Sequence, residues 1–395
     1  MSQMENFRNV LVDCQLKELN VVGGKFTWSR GKNMNVIMER LDRGVATDKW
    51  LDLFPFACER HITATVSDHV PMLFQISDFQ KPISNVRRSF KFENMWLEDE
   101  GCRHTIAASW KGVSVSNFTE LVGIIERCGR RLVKWNKETY GNIGYQIKAK
   151  RLELEKMQSK VQKIEDNVAI DNCRKQLMGL MQKEEILWRQ RSKCLWLKEG
   201  DRNTKFFHTV ASCRRRNNRV SRILDVDNKW YEQEEDITRV FLNYFERIFT
   251  SSNPTSMENI FQAMESKIGG DENANLLKEF TQEEIKMTLD QMHPDKAPGP
   301  DGMTAGFYKK YWNVVGKVIT SVILDFLNRG TDLRAINHTN VVLIPKKKSP
   351  TSPMDFRPIS LCNVIYKIIA KVLANRLKVV LPQIIDESQS AFVQG

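Results

Sequence analysis

The chain has 395 residues, of which 41% are hydrophobic and 27% charged, enough apolar material for two or three domain-sized cores. Lys and Arg number 60 against 48 Asp and Glu, and the resulting formal charge of +12 points to a polyanionic partner. The eight cysteines never form a C-x-x-C pair, and no signal-peptide core or bilayer-length apolar run occurs, which speaks against a zinc ribbon, a disulfide scaffold or a membrane protein. Reduced thiols and an intracellular location, nucleus or cytoplasm, are expected.

Residues 1 to 80 read as short strands and loops, with "KFTW" at 25–28 and a β-branched run, "HITATV", at 61–66 just before "SDHVP". From about 85 to 240 the pattern is helical and highly charged. Ile147, Leu154, Val161 and Val168 recur every seven positions, a seam suited to a coiled coil, a helical hairpin or one long packed helix, and through it to self-association. Residues 186–222 carry a net +9, with Trp188, Trp196, Phe206 and Phe207 among the cations. Cations release counterions from phosphates and flat rings stack on bases, so this composition suits RNA or DNA. The rings are read first as core anchors. Arg214, Arg215, Arg216 and Arg219 are read as phosphate contacts.

Residues 251–279 form a plausible linker around "TSSNPTSMEN". Thr281 followed by Glu284 then makes a capping-box pattern, predicting a helix to about Met292. "HPDKAPGPDGM" excludes regular structure, and a second helix carrying Phe307, Tyr311, Val315, Val318, Val322 and Phe326 is expected to stop at Gly330. "TNVVLIPKKKSP" predicts a short buried strand at Val341 to Ile344 ending in three lysines. After "FRPISL" an amphipathic helix is expected from Asn363 to about Leu381. These elements alone support a nucleic-acid-binding α+β protein.

"SDHVP" places an acid before an imidazole at the end of a β-like run, and "ERLDR" supplies Asp42 upstream. Phosphodiester hydrolysis needs a group to orient or deprotonate water, a carboxylate to hold it and commonly a metal-binding carboxylate. An ordinary surface turn is the competing reading of Asp-His. "FTW", "ERLDR" and "SDHVP" together resemble the C-terminal part of the endonuclease/exonuclease/phosphatase family, as found on plant LINE-type (non-LTR) retrotransposon polyproteins. The resemblance implies that His69 acts at the scissile phosphate, that Asp42 orients it, and that Asp68 helps organise the site around Mg2+. Thr27 and Trp28 match the family's structural and substrate-facing turn.

"KCLWLKEGDRNTKFFHTVASCRRRNNRV" at 193–220 is similar to the connector between endonuclease and polymerase in the same polyproteins. "KAPGPDGM", "VVLIPKKK", "FRPISLCNVIYKIIAKVLANRL" and "SQSAFVQG" resemble the fingers of LINE-type reverse transcriptases, in the family's order. By that likeness Lys346, Lys347, Lys348 and Arg357 lie along the template or incoming triphosphate, where fixed cations offset phosphate charge. A solvated strand end is the alternative for the lysines, and a surface ion pair for Arg357.

The implied fold class is α+β. It comprises a partial α/β sandwich of the endonuclease/exonuclease/phosphatase type (1–80), a basic helical connector (81–250), a linker (251–279) and polymerase fingers without a palm (280–395). The family is an RNA-directed DNA polymerase plus DNA endonuclease. Its other metal-binding carboxylates find no match in this sequence, so a truncated chain that is inactive alone and holds no productive Mg2+ is expected. A non-catalytic nucleic-acid-binding protein or a helical scaffold is the alternative.

Overall fold

The computed structural model describes residues 3–22, 26–30, 37–54, 57–62, 68–76, 89–158, 164–192, 206–207, 210–212, 214, 218–253, 258, 262, 267–347 and 349–385. It is a mixed α and β chain, as its sequence predicts.

In chain order the elements are α1 (Gln3–Asp13), β1 (Leu16–Glu18), β2 (Asn20–Val22), β3 (Trp28–Arg30), β4 (Ile37–Glu39), β5 (Val45–Thr47), α2 (Asp48–Leu53), β6 (Cys58–His61) and β7 (Met72–Gln75). There follow α3 (Glu100–Trp110), α4 (Phe118–Thr139), α5 (Ile143–Gln158), α6 (Ile164–Ser192), β8 (Ile223–Leu224), β9 (Trp230–Tyr231) and α7 (Glu234–Phe249). The last part holds α8 (Gly270–Leu276), α9 (Gln282–Asp290), α10 (Ala305–Lys310), α11 (Trp312–Arg329), α12 (Arg334–Asn337), β10 (Asn340–Pro345), β11 (Phe356–Leu361) and α13 (Val364–Ile384).

The chain divides into two compact units, each assembled from three stretches. One comprises Met1–Arg87, Lys205–Thr250 and Leu343–Pro358; the other comprises Arg88–Thr204, Ser251–Val342 and Ile359–Gly395.

In the first unit, β2, β6 and β7 form a sheet in which β2 runs parallel to β6 and β7 antiparallel to it. β3–β4 and β1–β5 are separate antiparallel pairs. Among the described residues, Leu19, Ala46, Leu51 and Ala57 form a small core beside β1, β5 and α2, and Ile223, Ile237, Phe241 and Phe356 form a second one around β8, α7 and β11. Strands and loops alone were expected over residues 1 to 80, but the structure adds α1 and α2. The second is fixed by Thr47, whose hydroxyl accepts from the Trp50 N–H, a local cap that strand-like composition conceals.

The second unit is helical around one large core running from Phe92 through Leu121, Leu132, Phe307, Ile319 and Ile368 to Val372. Here α5 and α6 pack together as a helical hairpin. Within it Ile147 is buried while Val168 is exposed, so the heptad seam is only partly used; Val161 lies outside the described residues. The capping box at Thr281 and Glu284 forms in full at the start of α9. Gly330 ends α11 in the left-handed region at φ 70°, as predicted, but the expected single helix is split into α10 and α11 at Tyr311. The expected linker contains α8.

One expectation is overturned. Val341 to Ile344 form a strand, but Val341 and Val342 are 53% and 37% exposed. Among the described residues β10 pairs with β11 alone, and a two-stranded ribbon buries little. Its Leu343 packs against the Ile223–Phe356 cluster.

Candidate functional site

Three sequence motifs that are far apart in the chain meet in the first unit. Backbone bonds set the frame: the Val70 N–H donates to the Thr27 carbonyl at 2.7 Å, and the Ser29 N–H to the Asp68 carbonyl at 2.9 Å. This bridges Trp28 to His69. Thr27, fully buried, offers its hydroxyl oxygen to the N–H groups of Leu41 and Asp42 at 3.0 and 2.9 Å. Asp42 is thereby held opposite His69.

The Asp42 Oδ2 lies 2.8 Å from His69 Nδ1. Hydrogen bonding to His69, opposed by some desolvation and aided by Thr27, holds the Asp42 carboxyl below its ordinary value. An ionised carboxylate can only accept, so Nδ1 carries the proton of this bond and Nε2 is directed elsewhere. The His69 side chain is 47% exposed, so a phosphodiester oxygen could approach it from solvent. Asp68 is placed differently from its neighbour: its Oδ2 accepts from the Trp28 indole N–H at 3.0 Å. That bond orients the indole and engages one of the two carboxylate oxygens.

Magnesium takes several oxygen ligands in near-octahedral geometry. Among the described residues no group of three or more His, Cys, Asp or Glu side chains could hold a metal ion.

A buried pair nearby escaped the sequence reading. Glu59 is fully buried on β6, 2.6 Å from His61 Nε2, and its other oxygen accepts from the Gly44 N–H. It thus pins the backbone two residues beyond Asp42. The alternation of acid and imidazole in "CERH" was the available signal, since residues i and i+2 of a strand share one face.

The basic candidates separate. Lys346 donates to the Met354 carbonyl at 2.7 Å, and Lys347 pairs with Asp355 at 2.9 Å. Asp355 also accepts from the Thr351 and Ser352 N–H groups. Despite some desolvation, these donors bring its carboxyl down to about 2. Both lysines therefore tie the turn between β10 and β11 in this structure. Arg357 is exposed and makes no ion pair among the described residues. Arg214 and Arg219 are exposed; Lys348, Arg215 and Arg216 lie outside the described residues. Of the basic segment's rings, Phe207 is 1% exposed and serves as a core anchor, whereas Trp196 lies outside the described residues.

Arg376, on α13, makes a dense set of bonds. Its Nε and Nη2 donate to the two Glu284 oxygens at 2.8 and 2.9 Å; Nη2 also donates to the Glu279 carbonyl, and Nη1 to that of Leu276. The guanidinium carbon lies 3.5 Å from the Phe280 ring centroid. Among the described residues no helix is long and apolar enough to cross a membrane.

No family model matches the chain. It is similar to the Transposon TX1 uncharacterized 149 kDa protein of Xenopus laevis, 23% identical over 394 residues that make up 96% of this chain and 29% of that protein. It is also similar to the retrovirus-related Pol polyprotein from the type-1 retrotransposable element R2 of Nasonia vitripennis, 31% identical over 119 residues, 30% of this chain and 11% of the polyprotein. The chain thus spans less than a third of either relative's length. Its homologues are proteins of transposable elements.

Proposed function

We propose that the chain is a segment of a LINE-type retrotransposon polyprotein that carries the end of an endonuclease domain, a basic connector and the fingers of a reverse transcriptase. The observation that carries this reading is the convergence of "FTW", "ERLDR" and "SDHVP" on one hydrogen-bonded Asp42–His69 pair. Relatedness to transposable-element proteins along nearly the whole chain supports it.

In this reading Asp42 fixes the imidazole and His69 presents Nε2 to a phosphodiester oxygen, where it donates or withdraws a proton according to its state. Asp68 and Trp28 form the adjoining wall. The fingers, with Arg357 exposed on β11, contribute cationic surface toward a template or triphosphate. Among the described residues no carboxylate cage accompanies the Asp42–His69 pair, which by itself lacks the metal-assisted charge stabilisation that phosphoryl transfer relies on. The function proposed for this chain alone is therefore nucleic-acid binding, with no nicking or copying of its own.

Purified full-length chain incubated with magnesium and either supercoiled plasmid or a primed RNA template tests this. Retention of labelled single strands without nicked circles or extended primers is the expected outcome. Product in proportion to protein, abolished by His69→Ala or by changes in the fingers, would assign catalysis to this chain.

A further inference from the structure

The β8–β9 hairpin is held by a tight turn in which Asp225 Oδ1 accepts from the Asp227 and Lys229 N–H groups, both at 2.9 Å. Asn228, at φ 60°, takes the left-handed position the turn requires. The turn aligns Leu224 opposite Trp230 and leaves the Arg222 guanidinium over the indole, its central carbon 4.1 Å from the ring centroid. Trp230 remains 39% exposed.

Arg60, on β6 and more than a hundred residues away in sequence, reaches the same place. Its guanidinium lies 3.2 Å from the Glu232 carboxylate just after β9. Burial lowers the Arg222 pKa, and the charge of Arg60 lowers it further against the pull of Glu232. The register that pairs Ile223 with Tyr231 sets Arg222 across from Glu232, the carboxylate that Arg60 engages, so the two guanidiniums gather around one acidic residue. Arg219 belongs to the same neighbourhood: both it and Arg60 oppose the burial that raises the Cys58 thiol. Like charges collected around one shared carboxylate are costly unless a further anion completes the set.

We propose that Arg60, Arg222 and Trp230 form a binding patch for a single-stranded nucleic acid, the guanidiniums taking consecutive phosphates and the indole a base. A guanidinium laid flat on an aromatic ring keeps its edge N–H groups outward in the planar fork that phosphate accepts. The exposed part of the indole supplies a stacking surface that tolerates any base. An acidic peptide would satisfy the cations but leave the ring unused. The choice of nucleic acid rests on the function proposed above; the patch itself rests on the convergence of Arg60 with the hairpin.

Anisotropy titration of short labelled single-stranded RNA and DNA with the full chain, at salt from about 50 to 200 mM, tests the patch. The Arg60→Gln/Arg222→Gln double variant is expected to bind either polymer roughly tenfold or more weakly. Its log-log salt slope should shrink in magnitude by about 1.4, the loss of two single-strand phosphate contacts. Trp230→Leu should weaken binding by roughly fivefold or more with the slope unchanged. Arg222→Lys keeps the charge and the fold while losing the fork, so it should weaken binding and retain the slope. Thermal melting checks that each variant is folded. Double-variant binding with the wild-type affinity and slope would overturn the patch and leave the proposed function standing. A wild-type chain that binds neither polymer at low salt would overturn both.

Discussion

Asp301, in the Pro- and Gly-rich loop before α10, is a carboxylate strongly altered by its surroundings. Part of the residue stays accessible, yet packed protein atoms crowd its carboxyl, and this desolvation pushes its pKa up to about 7. The Met303 N–H, donating to Oδ1 at 3.1 Å, and the charge of Lys367 offset only part of it. The sign of the pH effect follows from proton uptake. Between about pH 4 and 7 the folded chain keeps a proton that the unfolded chain has lost, so stability from this group is complete below that window and falls as pH rises through it. A carboxyl moved from 3.8 to about 7 corresponds to about 4 kcal/mol at most. Asp301→Asn keeps an acceptor for Met303 and cannot ionise. It should match the wild type near pH 4 and exceed its stability increasingly up to pH 7, with a plateau above. Lys367, whose own pKa is lowered by burial, loses the favourable charge of Asp301, so the gain should fall short of the full figure. Urea unfolding across this pH range measures the difference; a constant difference would contradict the assignment.

At the scale of the element, the same loop shows how far a sequence can be read. Its lack of regular structure is plain from Pro294, Pro298, Gly299, Pro300 and Gly302. Which neighbour each glycine accommodates is not. Gly302 sits at φ 71°, where a Cβ would lie 2.0 Å from the Phe90 carbonyl oxygen, and its own carbonyl accepts from the Phe92 N–H at 2.9 Å. The backbone on both sides is thus fixed. Gly302→Ala should cost more than about 2 kcal/mol, combining the left-handed penalty with a clash against main chain. A urea midpoint shift equivalent to less than half that value would show that the Phe90 segment can move. Caps and stops were legible because they are local: Thr281 bonds to a residue three positions on, and Gly330 closes the turn before it. The Asp42–His69 pair was legible only through family motifs, since nothing in their spacing forces the two side chains together. Arg376 on Glu284, Arg60 on Glu232 and Glu59 under Gly44 join residues that sequence periodicity does not link. The exposure of Val341 and Val342 was misread for a related reason, because an apolar strand does not say whether another layer will cover it.

At the scale of the whole molecule, apolar burial is unevenly divided. The second unit gathers Phe92, Phe118, Leu121, Phe307, Tyr308, Ile319 and Ile368 into one continuous core, each nearly or wholly buried. Among the described residues the first unit has two smaller clusters, the Leu19 to Ala57 set and the Ile223 to Phe356 set. Its strands meanwhile leave Ile37, Met38, Leu73 and Phe74 at 60%, 51%, 49% and 48% exposure. Burial contributes about 25 cal/mol per Å² of apolar surface, so the unit with the smaller cores has less to set against its chain entropy. Local stability follows such differences, and segments with few buried apolar neighbours open first. Hydrogen exchange at increasing urea should therefore show the amides of Met72–Gln75 and Trp28–Arg30 exposed at lower denaturant than those of α11 and α13. The Asp42–His69 pair should be lost with the first transition while the helical unit remains protected. If the amides of both units lose protection at one urea concentration with the same dependence, the chain unfolds as a single cooperative body and the division of its core does not govern its stability.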